Sequence, residues 1–284
     1  MTDSMHRVVV IGAGHMGTAI IAGLREKAGD LPLEVVEIAQ SRMRAVREEF
    51  GIIARSHYTS RPGDTVVLAI QPQQFEEFAA AQGRGAFEGV LVISVMAGVS
   101  TAVVGSRLDT GGIVRAIPNT PSEVSQGMTV MCPGPAVTPG ETGRAERVLS
   151  AIGQVLTVAD EALIDDATAL CGGGPAFVAH IAGAFIEFAV KAGFRPAEAR
   201  LMSCQVLRGT ADLLGSTGRE PDQLCREVMT PGGTTERGVF HLLEQGLRDV
   251  LVEALRLSAN RSRQLGDLAR TDPPGTVRPG GSDA

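Results

Sequence analysis

Three glycines near the start of the chain have the spacing of a dinucleotide-binding turn. Gly12, Gly14 and Gly17 follow an apolar run at residues 8–11, and an Ala- and Ile-rich helical pattern comes next. A strand, a tight glycine turn and a helix form the setting in which a G-x-G-x-x-G motif binds a pyrophosphate. The first glycine allows the turn, the second admits the pyrophosphate and the third lets helix and strand pack closely. We therefore predict cofactor contacts from Gly12, Ala13, Gly14, His15, Met16 and Gly17.

An acid in the next apolar run, Glu37 within residues 34–38, extends this pattern. An acid at that point of a dinucleotide-binding unit hydrogen-bonds the ribose hydroxyls of the adenosine half. A carboxylate there repels a 2′-phosphate, and residues 38–40 offer no Ser or Arg to hold one. These residues favour NADH, although Arg42 and Arg44 leave NADPH open. The alternative interpretation is a glycine turn in another kind of α/β protein.

The elements that would position these residues alternate along the first half of the chain. Strand-like runs lie at residues 65–70, 90–95, 113–117, 128–131 and 154–158, with helical segments between them. This alternation predicts an α/β fold whose N-terminal Rossmann domain, residues 1–159, contains a doubly wound sheet. Ligands of such sheets bind beyond the carboxyl ends of the strands. The loops at those ends add Ala69, Ile70, Gln71, Pro72, Ala97, Gly98 and Asn119 to the predicted cofactor contacts.

Helix starts in this half carry recognisable N-cap residues. Ser41 and Ser100 are predicted to cap the helices that follow them, because a serine hydroxyl can accept an N–H of the first turn. Thr138 precedes Pro139, a residue that favours the first position of a helix.

From residue 160 onward the pattern is helical throughout. We predict an all-α domain over residues 160–266 and a disordered, Pro- and Gly-rich tail over residues 267–284. The helix at residues 175–192 is apolar on nearly every face, so it must be surrounded by other protein. A domain of this size has little with which to surround it. A second subunit is the simplest cover.

Composition excludes several classes of function. The chain has 284 residues and a formal net charge of −6, so it has no basic surface for nucleic acid. No apolar run is expected to reach the length of a membrane span. The four cysteines are widely spaced and match neither a disulfide nor a metal pattern, so we predict no metal. With no signal-peptide pattern, a cytoplasmic protein is expected.

Two glycine-rich loops of the helical half are candidates for anion binding. Residues 171–175 and 230–235 each place glycines with a Pro or Thr at a helix start. N–H groups at such ends bind carboxylates and phosphates. Ordinary interhelical turns have the same composition, so both interpretations remain open from the residues alone.

Four blocks in order resemble the pyrroline-5-carboxylate reductase family. The block MTPGGTTERGVFHLLE is similar to the family signature, a Ser/Thr-Pro-Gly-Gly-x-Thr segment before a helix. GAGHMG, RAIPNTP and CGGGPAFV resemble three further family blocks, G-x-G-N-M-G, R-A-M-P-N-T-P and S-G-S-G-P-A-Y-V. The resemblance extends from Arg7 to about Gln264.

The resemblance implies reduction of the cyclic imine 1-pyrroline-5-carboxylate to L-proline by hydride from NAD(P)H, and family precedent favours NADPH. It also implies a helical domain that forms a homodimer, often assembled into decamers. The threonine that matches the family's ring-nitrogen contact is Thr235, our candidate catalytic residue. The implied substrate contacts are Gly173, Gly174, Pro175, Thr230, Gly232, Gly233, Thr234 and Thr235.

Other functions remain open from the sequence. A related cyclic imine, six-membered or specific to another pathway, would suit the same site. A 3-hydroxyacid or 6-phosphogluconate-type dehydrogenase shares the domain plan but needs a helical lysine, for which Lys191 is the candidate. A catalytically silent dinucleotide sensor is the third possibility.

Overall fold

The structure, a computed structural model, describes residues 6–29, 31–83 and 85–271. The described residues contain a seven-stranded sheet with the order β2-β1-β3-β4-β5-β6-β7. The strands are β1 (Val8–Ile11), β2 (Leu33–Val36), β3 (Thr65–Leu68), β4 (Leu91–Ser94), β5 (Ile113–Ile117), β6 (Gly127–Pro133) and β7 (Gly153–Thr157).

The sheet is parallel except where β6 meets β5. The predicted doubly wound sheet is confirmed for β1 to β5, which pair in parallel. The expectation that strands and helices alternate throughout is wrong between β5 and β6. Only a short 3-10 helix, Thr120–Val124, lies between them, and they pair antiparallel. A connection that short cannot carry the chain back to the start of the sheet for a parallel pairing.

Helices cover both faces of this sheet. The helices that pack on it include α1 (His15–Lys27), α2 (Gln40–Phe50), α3 (Phe75–Gln82), α4 (Thr101–Leu108), α5 (Pro139–Leu149) and α6 (Leu163–Ala167). The later helices are α7 (Gly174–Lys191), α8 (Pro196–Thr217), α9 (Pro221–Val228), α10 (Thr234–Glu244) and α11 (Leu247–Thr271). Successive residues of β1 enter different cores, with Val8 and Val10 in one cluster and Val9 and Ile11 in another. Neighbouring side chains of a strand point to opposite faces, so the continuous apolar run reflects burial on both sides.

The helix cap predicted at Ser100 is confirmed, and α5 begins at Pro139 as predicted. Ser100 accepts the Val103 N–H, and Thr138 forms a reciprocal capping box with Glu141. The cap predicted at Ser41 is wrong, because α2 already begins at Gln40 with Ala39 as its N-cap.

The chain divides into two compact units. One comprises the chain up to Gly173 and again from Leu257, and the other is Gly174–Arg256. In this division α6 belongs to the first unit, because it packs with β5 and β6, and the boundary predicted at residues 159 and 160 stays a prediction. The last helix, α11, begins in the second unit and ends in the first.

The second unit leaves much apolar surface exposed within a single chain. Phe188 of α7 is 75% exposed and Leu201 of α8 is 70% exposed. By length and composition, the helical stretch Leu163–Lys191 could cross a membrane, since an 18-residue window within it has a mean hydropathy of 1.5. The expectation that no run reaches such a length is corrected here, because a π-helical turn, Thr168–Gly172, joins α6 to α7.

The predicted disordered tail begins too early. Helix α11 continues to Thr271, five residues into the predicted tail. The remainder of the predicted tail, residues 272–284, lies outside the described residues.

Candidate active site

The glycine turn after β1 has the geometry that its sequence predicts. Gly12 has φ +95°, and a Cβ built on it would lie 2.7 Å from the Ala69 carbonyl oxygen. A Cβ on Gly17 would lie 1.9 Å from the Gly12 carbonyl oxygen, so only glycine allows α1 to approach this closely. These two glycines are required by packing, as predicted.

The middle glycine of the turn borders open space. A Cβ built on Gly14 would meet no heavy atom within 4 Å among the described residues. Gly14 is the N-cap of α1 and has no side chain to cap the first turn. The N–H groups and partial positive charge of a helix start are suited to a pyrophosphate. The residues of this turn therefore fit a dinucleotide, and their contacts with it remain predictions.

Glu37 lies beside the turn and is held by backbone amides. Its Oε2 accepts the Ala13 N–H at 2.9 Å, and its Oε1 accepts those of Ile38 and Ala39 at 2.8 Å each. Burial favours the neutral acid, but these bonds and the nearby Arg42 guanidinium lower the pKa of Glu37 below its ordinary value. An ionised carboxylate is thus fixed where β2 ends.

The loop after β3 joins the same region. Built on Gly12, a Cβ would also lie 3.0 Å from Ile70 Cγ2, and one on Gly17 would lie 3.4 Å from the Ala69 Cβ. The next residue, Gln71, is the N-cap of the 3-10 helix Pro72–Gln74. The structure therefore brings the start of this predicted cofactor loop against the glycine turn.

Two other predicted cofactor residues have defined local roles. Gly98 has φ +73°, in the left-handed region that favours glycine. Asn119 uses both ends of its side-chain amide within the protein. Its Nδ2 donates to the Cys171 carbonyl at 3.1 Å, and its Oδ1 accepts the Met128 N–H at 2.8 Å. These bonds give Asn119 a structural role in addition to its predicted contact with the cofactor.

His15 has a partner that the sequence did not indicate. Its Nδ1 lies 3.0 Å from Glu123 Oε1, in the 3-10 helix after β5. The two residues are far apart in sequence, and both side chains are substantially exposed. This pair connects the start of α1 to the segment that follows β5.

A buried ion-pair network around Arg115 also escaped sequence reasoning. The Arg115 guanidinium, on β5, donates to Asp165 Oδ1 at 3.0 Å and to Glu161 Oε1 at 3.3 Å. Asp165 accepts the Ser262 hydroxyl as well, at 2.9 Å. The signal was a single arginine in an otherwise apolar strand, since a buried charge requires partners. The network fastens α6 and the end of α11 to the sheet.

The loop before α10 forms the candidate substrate site of the second unit. Gly233 is the N-cap of α10, and its N–H donates to the Thr230 carbonyl at 2.8 Å. Gly232 has φ +71°, and its N–H donates to Glu236 Oε2 at 2.7 Å. Thr234 and Thr235 begin the helix and are exposed. The helix begins at Thr234, so both threonines lie in its first turn.

The other predicted substrate loop lies where the two units join in sequence. Gly173 follows the π-helical turn, and a Cβ built on it would lie 3.0 Å from the Ala169 carbonyl oxygen. Gly174 and Pro175 begin α7. Burial raises the pKa of the Cys171 thiol, so this cysteine is held in its unreactive form.

The lysine that a dehydrogenase would need is already paired. Lys191 ends α7, where it forms an exposed ion pair with Glu187 one turn earlier. Among the described residues, no cluster of His, Cys, Asp and Glu side chains could hold a metal ion.

The Rossmann sheet, the glycine turn and the helical unit define an oxidoreductase of the nicotinamide-dinucleotide class. Residues 161–265 match the family model described as pyrroline-5-carboxylate reductase dimerisation. Residues 7–98 match the one described as NADP oxidoreductase, coenzyme F420-dependent. The predicted order of a Rossmann domain and a helical dimerisation domain is thereby confirmed.

Whole-chain comparisons agree with both matches. The pyrroline-5-carboxylate reductase of Synechocystis is 34% identical, covering 90% of this chain and 97% of its own length. That of Escherichia coli is 30% identical, covering 91% and 98%. A solved pyrroline-5-carboxylate reductase from Coxiella burnetii has a TM-score of 0.85 at 30% identity, covering 92% of this chain and 99% of its own. The chain belongs to the pyrroline-5-carboxylate reductase family.

These comparisons confirm the resemblance read from the four sequence blocks. They do not favour the dehydrogenase or a reductase of another cyclic imine. The dimerisation domain also supports oligomerisation of the chain.

Proposed function

We propose that this protein reduces 1-pyrroline-5-carboxylate to L-proline with NAD(P)H. The observation that carries the proposal is the glycine turn, in which packing dictates Gly12 and Gly17 while Gly14 borders open space. When bound, the reduced dinucleotide supplies a hydride to the ring carbon of the imine, and the ring nitrogen gains a proton. A protonated imine is already electrophilic, so the protein's main tasks are alignment and binding of the carboxylate.

The loop before α10 is the proposed substrate site. Backbone N–H groups of Gly232, Thr234 and Thr235 would bind the substrate carboxylate, because a helix start favours an anion. Gly233 lines the same loop, and its own N–H donates to the Thr230 carbonyl. The Thr235 hydroxyl would hydrogen-bond the ring nitrogen. Gly173, Gly174, Pro175 and Thr230 complete the proposed contacts.

NADH is the proposed preferred cofactor. Glu37 is 5% exposed and its carboxylate is fixed by three backbone N–H groups. The 2′-phosphate of NADPH would be repelled by this carboxylate, because the three hydrogen bonds hold the charge in place. A pyrroline carboxylate reductase of Plasmodium falciparum, whose fold is similar with a TM-score of 0.80 at 20% identity, was solved with NADP bound. Family precedent for NADPH therefore competes with the residues of this chain.

The proposed assembly is a homodimer formed through the second unit, with decamers as the higher assembly that family precedent supports. The exposed apolar side chains of α7 and α8 are the surface that a second copy would cover. We propose a cytoplasmic location, since all four cysteines lie in the described part of the chain as free thiols. No nucleic acid or membrane partner is proposed.

A direct assay tests this function. Purified protein is mixed with 1-pyrroline-5-carboxylate and either NADH or NADPH, and the loss of nicotinamide absorbance is followed while L-proline is quantified. Proline formation matched by dinucleotide oxidation is expected, and it should be faster with NADH. Dinucleotide binding without turnover would instead support the silent sensor.

A further inference from the structure

One amide of the proposed substrate loop is already occupied by a carboxylate of the protein. The Gly232 N–H donates to Glu236 Oε2 at 2.7 Å. Glu236 lies in the first turn of α10, directly after the two threonines of the loop. A side-chain carboxylate and the carboxylate of a cyclic imino acid offer the same acceptor atoms to an N–H group.

This contact differs from the helix caps that glutamates form elsewhere in the chain. In α5, Glu141 Oε2 accepts the N–H of the N-cap residue Thr138 at 2.8 Å. In α8, Glu198 Oε2 accepts the N–H of the N-cap residue Arg195 at 3.0 Å. Both are third residues of their helices and reach back to the cap itself, as a capping box requires.

At α10 the corresponding acid, Glu236, does not accept the N–H of the N-cap residue. Glu236 is also the third residue of its helix, but its partner is Gly232, the residue before the N-cap Gly233. The Gly233 N–H donates instead to the Thr230 carbonyl at 2.8 Å. The left-handed φ of +71° at Gly232 belongs to this arrangement. The carboxylate therefore binds within the Pro-Gly-Gly turn, where the substrate carboxylate is proposed to bind.

We propose that Glu236 is an internal competitor for the substrate carboxylate and so determines the affinity of the site for its anionic substrate. In the free protein Glu236 accepts the Gly232 N–H, and the substrate carboxylate takes over that N–H on binding. The need to displace Glu236 weakens substrate binding in two ways. The hydrogen bond from the Gly232 N–H to Glu236 must be given up for the one to the substrate, and the negative charge of Glu236 stays near the substrate carboxylate. This inference rests on the proposed function, since it concerns the same loop.

Two variants of Glu236 test the competition. Glu236→Gln removes the charge and keeps an acceptor oxygen, whereas Glu236→Ala removes both. The KM for 1-pyrroline-5-carboxylate is expected to fall about threefold with Gln and about tenfold with Ala, a change within the range of one exposed charge-assisted contact. The Kd for NADH, measured by fluorescence, should stay the same. Inhibition by L-proline, which carries the same carboxylate, should strengthen in parallel.

Glu198→Gln is the matched control, because it neutralises a glutamate at the same helix position in the same unit. It should leave the KM unchanged while its effect on thermal stability resembles that of Glu236→Gln. The methyl ester of the substrate, which lacks the carboxylate charge, should show no gain with either Glu236 variant.

The outcomes separate the competition from the function itself. An unchanged or raised KM in folded Glu236 variants overturns the competition, as does an equal gain for the methyl ester. Absence of imine reduction by the unaltered protein would instead overturn the proposed function. Circular dichroism establishes that each variant is folded before its KM is compared.

Discussion

The Ala13 amide donates a hydrogen bond to Glu37 Oε2 across 2.9 Å, which ties the glycine turn after β1 to the residue that follows β2. The same carboxylate accepts two further amides, from Ile38 and Ala39. Its position is therefore set before any ligand arrives. A group that is preorganised in this way discriminates between ligands at little entropic cost.

The first prediction concerns the choice of dinucleotide. Glu37→Ser removes the charge and leaves a small hydroxyl that can hydrogen-bond a 2′-phosphate. The ratio of kcat/KM for NADPH to that for NADH should rise about tenfold or more, equivalent to roughly 1.4 kcal/mol. Steady-state kinetics with both dinucleotides measures it. Glu49→Ser, which changes an exposed acid on α2, should leave the ratio as it was. An unchanged ratio in the Glu37 variant would remove this residue from the adenosine site.

Sequence reasoning succeeded where the determining interactions are local. Gly12 and Gly17 are required by contacts between adjacent segments of one strand–turn–helix unit, so their spacing alone predicts their packing. Thr138, Pro139 and Glu141 form a helix start whose hydrogen bonds span a few residues. The strand positions were predicted from continuous apolar runs, a signal that is likewise contained within a few consecutive residues.

Prediction from the sequence failed where a hydrogen-bond partner is distant along the chain or where a contact depends on one backbone dihedral angle. No pattern in the sequence pairs Asn119 with Cys171 or Met128, so the two bonds of its side-chain amide were not predicted, and its cofactor contact stays a prediction. The bond between Gly232 and Glu236 depends on the left-handed backbone at Gly232. A capping-box pattern would have assigned that glutamate to Gly233 instead.

The second prediction concerns Asp64, which directly precedes β3 and is 2% exposed. Arg7 Nε and the Tyr58 hydroxyl each donate to its carboxylate at 2.9 Å. Burial alone would raise the pKa of Asp64, but the bonds from Arg7, the Arg61 amide and Tyr58 lower it below its usual value. Breaking such a buried pair costs about 3–5 kcal/mol, so Asp64→Asn should lower the free energy of unfolding by about that amount at pH 7.

The pH dependence of this loss has a definite sign. A carboxylate with a lowered folded-state pKa stabilises the fold fully above its unfolded pKa, about 3.9, and this contribution is lost as the pH falls through the folded value. The difference in the free energy of unfolding between Asp64→Asn and the unaltered protein should therefore become smaller below about pH 4. Urea denaturation at several pH values measures it. If this difference in free energy stayed constant down to about pH 2, well below the ordinary pKa of an aspartate, Asp64 would not be ionised in the folded protein.

The third prediction concerns the proposed dimer. Phe188 on α7 is 75% exposed within one chain, and Phe188→Asp would place a charge in the proposed interface. The dimer dissociation constant should rise at least about tenfold, because an unpaired buried charge is costly. Sedimentation velocity over a range of protein concentrations measures it. Ile53→Asp alters a residue of the first unit that is 76% exposed and should leave assembly unchanged. Equal sedimentation of all three proteins would exclude α7 from the interface.

The fourth prediction concerns Thr235, which lies in the first turn of α10. Removing its hydroxyl in Thr235→Ala should lower kcat about tenfold to a hundredfold, since a positioned donor to a reacting nitrogen contributes at least this much. Thr235→Ser keeps a hydroxyl and should recover most of the rate. Thr210→Ala removes a hydroxyl that bonds only within α8, so its kcat should match that of the unaltered protein. Full activity of Thr235→Ala would assign the nitrogen contact to another group.

The last prediction separates folding from cofactor binding within one turn. A Cβ at Gly17 would lie 1.9 Å from a backbone oxygen, whereas one at Gly14 would meet no atom of the described residues within 4 Å. Gly17→Ala should therefore lower the melting temperature strongly, because the backbone of the turn must move. Gly14→Ala should keep the melting temperature and still weaken NADH binding about tenfold or more, because its methyl group occupies the space left for the pyrophosphate. Differential scanning calorimetry and NADH fluorescence titration measure the two effects. If Gly14→Ala bound NADH normally, the open side of the turn would not be the phosphate site, and the dinucleotide would have to approach the sheet elsewhere.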